Sequence, residues 1–200
     1  MNVYIESNFV LELALLQEQH ATCEEILRLC ESGAARLVVP AYCLMEPYET
    51  LMRRQAERKQ TKSTLDGQLG QIARTALYKD RRRELESATS LLVDSADDDN
   101  SRLESVRSRL LDCAEVAPLE ASVLARAAQV GGLRPKDAVV YASILVHREH
   151  STEPGCFVTR DSDFRDPDLK SELGERDCRL IIGFEAGLQF LRRPFPEGTP

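Results

Sequence analysis

Short apolar runs alternate along the chain with longer stretches in which apolar residues recur every three or four positions. The first run, Val3-Tyr4-Ile5, is made of residues that suit a strand buried on both faces. It stops at Glu6-Ser7-Asn8, and helical spacing begins at once through Phe9, Val10, Leu13 and Leu16. Ser7 and Asn8 are residue types that cap helices. A second amphipathic stretch, 21–32, carries Ile26, Leu27 and Leu29 and stops at Gly33. Leu37, Val38 and Val39 predict a second buried strand, closed by Pro40. Leu44, Met45, Tyr48, Leu51 and Met52 then return to helical spacing, with Pro47 among them. That proline predicts a helix that either starts near it, with Glu46 in the N-cap region, or kinks there. Both alternatives hold Glu46 close to the end of the second strand.

From about 53 to 115 the pattern stays helical and becomes much more polar. Three amphipathic helices are expected, around Leu65 to Leu77, Leu85 to Leu92 and Leu103 to Leu111. The run Asp97-Asp98-Asp99-Asn100 reads as a solvated turn between the last two, with Ser101 as a cap. A further helix is expected over 118–130, ended by Gly131-Gly132. Pro135 then suits the first position of a mostly apolar helix, which places Asp137 in its first turn and His147 and His150 at its polar end. The two histidines lack supporting ligands nearby and read as structural.

A third strand, 156–159, runs into Arg160-Asp161-Ser162-Asp163-Phe164, and a fourth, 178–182, leads through Gly183 into the last helix. Strands alternating with helices imply an α/β fold, a Rossmann-like parallel sheet in three layers with helices on both faces. The expected organisation is one domain over 1–193, with a helical insertion at about 53–115 and a frayed tail over 194–200.

Composition narrows this picture. Two hundred residues with 42% hydrophobic content suffice for one packed domain, and no run is long and apolar enough for a membrane span. The six scattered cysteines form no CxxC pair and read as small buried hydrophobes in a reducing, cytoplasmic compartment. Net charge is −7, which argues against a protein that coats nucleic acid broadly. Within 53–83, however, ten basic residues (Arg53, Arg54, Arg58, Lys59, Lys62, Arg74, Lys79, Arg81, Arg82 and Arg83) face only three acids. That segment is either a solvated helical face or a phosphate-contacting patch.

Position makes the acids informative. Glu6 follows the first strand, Glu46 the second, Asp161 and Asp163 the third, and Asp137 opens a helix. In an open parallel sheet the carboxyl ends of neighbouring strands meet at one crevice. Carboxylates gathered there cannot all stay ionised without a counter-charge. A hard divalent cation such as Mg²⁺ or Mn²⁺ supplies it, and such ions serve phosphodiester hydrolysis.

The same residues resemble the PIN-domain nucleases. The matching features are Glu6-Ser7-Asn8 after the first strand and Glu46 within VVPAYCLMEPYETL. Asp137 within LRPKDAVVYASIL and the Thr159-to-Phe164 sequence TRDSDF complete the pattern. The resemblance implies metal-dependent endonucleolytic cleavage, most often of RNA, with DNA as the other substrate. Glu6, Glu46, Asp137 and Asp161 would hold the metal, Asp163 would support or share that role, and Ser7, Asn8 and Thr159 would position ligands or water. Arg53, Arg54, Arg58, Arg81, Arg82 and Arg83 would contact nucleic acid. An antitoxin-like protein partner and a homodimer are compatible with the resemblance. The first acid departs from the family pattern, being Glu rather than Asp. That departure, and the long helical region, leave an alternative: a degenerate PIN-like module that binds RNA or protein without cutting. Small-molecule phosphate hydrolysis has no glycine-rich loop or nucleophile motif to support it.

Overall fold

A computed structural model describes residues 1–72, 74, 75 and 82–193. Five parallel strands form one sheet: β1 (Asn2–Tyr4), β2 (Arg36–Pro40), β3 (Glu115–Ala117), β4 (Gly155–Thr159) and β5 (Cys178–Ile182). Their order is β3-β2-β1-β4-β5, so β1 is central, with β2 on one side and β4 on the other. Val3 pairs in register with Leu37 and with Cys156, which brings the carboxyl ends of three strands level with one another. The expected three-layer parallel fold is therefore present.

Helices α1 (Ser7–Ala14), α2 (His20–Glu31), α3 (Ala41–Ile72), α4 (Arg82–Cys113), α5 (Ala121–Ala127), α6 (Pro135–Glu149), α7 (Pro167–Glu175) and α8 (Phe184–Leu191) surround the sheet. A 3₁₀ turn at Ser162–Arg165 follows β4. The apolar runs of β1, β2 and β4 are fully buried, as strands covered on both faces must be. Phe9 of α1 meets Phe184 of α8 edge to face at 5.5 Å, and Phe157 of β4 meets Phe164 at 5.0 Å. Gly187 lets α8 approach the sheet closely, since a Cβ there would lie 2.5 Å from Val158 Cγ1. No described helix is long and apolar enough to cross a membrane. Every cysteine is free, and all but the half-buried Cys113 are buried, as expected of small apolar side chains. His147 is structural too: its Nδ1 meets the Tyr4 hydroxyl at 2.8 Å and its Nε2 lies 3.2 Å from Glu115.

Of the two alternatives at Pro47, the helix does not start there: it begins at Ala41 and carries Pro47 in its second turn. Three sequence expectations change. The strand β3 was not foreseen, because three residues beside a proline leave little alternation to read. The helix expected over 118–130 is shorter, Ala121–Ala127. Finally, α3 and α4 are two long helices rather than three short ones, and the aspartate run lies within α4.

The last correction has a clear cause. α3 and α4 run antiparallel as a hairpin: Tyr48 donates to Glu104, Gln55 to the Ala96 carbonyl, and Arg58 to Ser95 and Asp99. Asp99 is only 5% exposed and receives Arg58 at 2.9 Å and Arg102 at 2.5 Å. Arg102 also donates to the Ala14 carbonyl at the end of α1, so one buried acid ties both arms of the hairpin to the sheet domain. Asp97 and Asp98 are exposed, as a solvated run would be. The base of the hairpin joins the core through Leu51, Leu103, Val106 and Leu110. Lys79 and Arg81 of the basic segment and the tail 194–200 lie outside the described residues, as do the side chains of Arg82 and Arg83.

Asp99→Ala should lower stability by about 1–3 kcal/mol, because it strands two guanidinium groups that can only partly rehydrate. Asp97→Ala and Asp98→Ala should stay within about 0.5 kcal/mol of wild type. Urea unfolding measures all three; equal effects would return the run to a merely solvated surface.

Candidate metal centre

The acids meet where the strand ends converge. β1 ends at Tyr4, and Glu6 takes the N-cap position of α1 with extended backbone, φ −118° and ψ 178°. Its carboxylate does not cap the helix. It accepts instead from the Thr159 hydroxyl at the end of β4. Thr159 Oγ1 in turn accepts from the Asp161 backbone N–H at 2.9 Å, and Asp161 Oδ1 accepts from the Asp163 N–H at 2.9 Å. A chain of hydrogen bonds thus sets the spacing of Glu6, Asp161 and Asp163. Arg160 reaches the fully buried Glu12 of α1, fastening the same loop a second time.

Asp137 arrives from another direction. Pro135 stands at the start of α6, as the sequence predicts, and Asp137 lies in the first turn, where the helix dipole favours an anion. Ser7, also expected as a cap, donates to Glu46 Oε2 on α3. Glu46 is buried beside it.

Asp137, Asp161 and Asp163 each offer a carboxylate oxygen within 4.8 Å of the others. Among the described residues this is the set of three acids, histidines or cysteines close enough to share an ion. The sequence reading gave Asp163 a supporting or shared role, and it lies inside the trio. Glu6 is joined to the trio through Thr159, and Glu46 stands beside it through Ser7 and Lys136. The donor set is wholly oxygen, which suits a hard divalent cation such as Mg²⁺ or Mn²⁺ and poorly suits a soft one.

Two cations in the site were not singled out in the sequence. Arg134, the N-cap residue of α6, donates through Nε to Asp137 at 2.9 Å and through Nη2 to Asp161 at 3.3 Å. The same Nε lies 3.1 Å from Asp163. Lys136 donates to Glu46. Their signal was present in the string Leu133-Arg134-Pro135-Lys136-Asp137, which places two cations within three residues of a site acid at a helix start. Counting acids alone passed over it.

Burial governs the protonation of Glu6. Desolvation raises its pKa to about 7, against hydrogen bonds from Thr159 and Asn8, and the charges of Asp161 and Asp137 push it further up. Burial also raises the pKa of Asp137, opposed by Arg134.

An α/β fold with a parallel sheet and an acid cluster at its carboxyl end defines a class of protein that binds ligands at that crevice. The sequence matches the PIN domain over residues 3–164, which includes β1 through β4, the hairpin and every acid of the site, so the chain belongs to the PIN-domain family. PIN domains are generally nucleases and typically use divalent metals. No curated protein and no solved structure gives a significant match to the chain.

The Glu6 shift carries a stability consequence. An acid whose folded pKa exceeds its unfolded value makes the folded state lose stability as pH rises from about 4.5 to about 7, with no further loss above. Without divalent metal, Glu6→Gln should therefore raise stability by about 1–3 kcal/mol at pH 8 and have little effect at pH 4.5. Thermal unfolding in chelator at the two pH values measures this; a gain of the same size at both would assign it to packing.

Proposed function

We propose that the protein is a divalent-metal-dependent endoribonuclease. The observation that carries this reading is the aspartate trio, Asp137, Asp161 and Asp163, gathered on the carboxyl side of a PIN-domain sheet. Those three residues would hold the cation, with Glu6 beside them and Glu46 completing the acidic wall. A divalent cation bound there supplies Lewis-acid polarisation of the phosphodiester and a more acidic water. The chain supplies the geometry. Thr159 holds Glu6 and the Asp161 backbone to one hydroxyl, so neither acid moves without the other. Ser7 sets the orientation of Glu46, and the Arg160–Glu12 pair keeps the β4 loop against α1.

The hairpin supports a polynucleotide substrate over a small phosphate ester. Arg53 follows Glu46 on α3 by about two turns, or ~10 Å, and so continues the same helix face away from the site. Arg53, Arg54 and Lys59 make no ion pair with described residues, which leaves their charge for an external phosphate. Arg58 and Lys62 are already engaged, by Asp99 and Asp66. The proposed contact set on α3 is therefore Arg53 and Arg54, without Arg58.

One observation favours a second reading, a PIN module that binds RNA without cutting it. Arg134 and Lys136 already neutralise part of the acid cluster, as they would in a site that takes no metal. Catalysis separates the two readings. On a structured RNA pool with Mg²⁺ or Mn²⁺, wild type should cleave, and Asp137→Asn and Asp161→Asn should each reduce the rate by about 100-fold or more. Glu6→Asp should keep more activity than Glu6→Gln. Equal cleavage by wild type and Asp137→Asn would overturn the site assignment, and no cleavage by wild type would favour the binding module.

Replacing Arg53 and Arg54 together by Glu should weaken binding of single-stranded RNA. The slope of log K against log salt should flatten by about 1.4, or ~0.7 for each phosphate that the variant no longer neutralises. An unchanged slope would make these residues an ordinary solvated face.

A further inference from the structure

We propose that Arg134 has two successive partners: the aspartate trio while no cation is bound, and a phosphate of the nucleic acid once a divalent cation has taken the trio's oxygens. This inference rests on the metal-centre reading above and adds to it the residue that grips the substrate beside the cation.

The contacts of Arg134 are those of a replaceable ion. Its donors are divided between carboxylates, with Nε serving Asp137 and Nη2 serving Asp161, so it makes a two-pronged fork with neither. Nε has a single N–H and gives it to Asp137, which leaves Asp163 at 3.1 Å as a charge neighbour without a hydrogen bond of its own from that atom. One guanidinium thus contacts three carboxylates, and the Lys136 ammonium adds a through-space charge on Asp137. A divalent ion carries twice the charge and binds oxygen at about 2.0–2.1 Å, against the 2.9–3.3 Å of these contacts. Charge and distance both favour exchange.

Its position makes the exchange possible and gives the freed group a use. Pro135 confines the Arg134 backbone to the extended region, observed at φ −62° and ψ 151°. The side chain, by contrast, is 58% exposed and can swing without disturbing the core. A guanidinium cannot shed its proton to escape the loss of its carboxylates. Its natural alternative partner is a phosphate, whose oxygens match the planar fork. The group also sits at the start of the 15-residue helix α6, where backbone N–H groups add to the positive potential. Lys136 cannot stand in for it, because its ammonium is held by Glu46, outside the trio.

Two measurements on the full chain test this. The first is Mn²⁺ binding without RNA, followed by electron paramagnetic resonance, for wild type and Arg134→Gln. Removal of the competing cation should tighten Mn²⁺ binding by about tenfold. Equal or weaker binding by the variant would overturn the exchange, and the metal-centre reading would stand. Failure of both proteins to bind Mn²⁺ would overturn that reading and the inference with it. The second is binding of a single-stranded RNA oligonucleotide, in EDTA and again with Ca²⁺ in place of the catalytic metal. Arg134→Gln should match wild type in EDTA, where Arg134 is occupied, and bind about fivefold to tenfold more weakly in Ca²⁺. Arg134→Lys should fall between them. An equal loss in both conditions, or no loss in either, would overturn the transfer to phosphate.

Discussion

Carboxylates repel one another most where water is scarce, and this chain brings carboxylate oxygens of Asp137, Asp161 and Asp163 within 4.8 Å of one another. The buried Glu6 is tied to the same loop through Thr159, and the buried Glu46 is held by Ser7. Much of the surrounding structure restrains that repulsion. β1 lies between β2 and β4, so the segments that follow these strands leave the same edge of the sheet, and hydrogen bonds in the β4 loop set the spacing of Glu6, Asp161 and Asp163. Thr159 and Ser7 each hold one glutamate, and Arg134 and Lys136 supply positive charge at short range. Glu6 responds differently: burial favours its neutral form up to about pH 7. The acid cluster is thus held by partial neutralisation from the chain's own cations.

The hairpin belongs to this arrangement. α3 carries Glu46 in its first turns and continues into the hairpin, so this acid and the hairpin share one helix. α4 returns to the domain and is fastened by Asp99, which binds an arginine of each arm, while Arg102 also holds the end of α1. α1 begins at Ser7, whose hydroxyl orients Glu46. Packing of the hairpin therefore bears on the site through α1 as well as α3. The basic residues of 53–83 divide accordingly: Arg58 serves the clamp, whereas Arg53 and Arg54 make no ion pair among the described residues.

The sequence made most of the sheet legible because β1, β2 and β4 are short, apolar and buried on both faces, and β1 and β4 run at once into polar residues. Glu6, Glu46 and Asp161 could be placed from where the strands end, and Asp137 from the proline that opens its helix. The hairpin was harder. Helical periodicity says that residues are helical but not where one helix ends, and three aspartates in a row resemble a turn until a partner helix supplies arginines to one of them. β3 offered three residues beside a proline, too few for a pattern. Arg134 and Lys136 escaped notice because a search for acids that need a counter-charge assumed that an ion would supply it. The chain supplies part of it, and only the fold shows the guanidinium among the carboxylates.

The most direct measurement of the central claim is diffraction from crystals grown with Mn²⁺, recorded for anomalous scattering. The expected result is one strong peak bounded by Asp137, Asp161 and Asp163, with the Arg134 guanidinium withdrawn from them. Crystals that leave Arg134 on the aspartates and show no anomalous peak at the trio would contradict it.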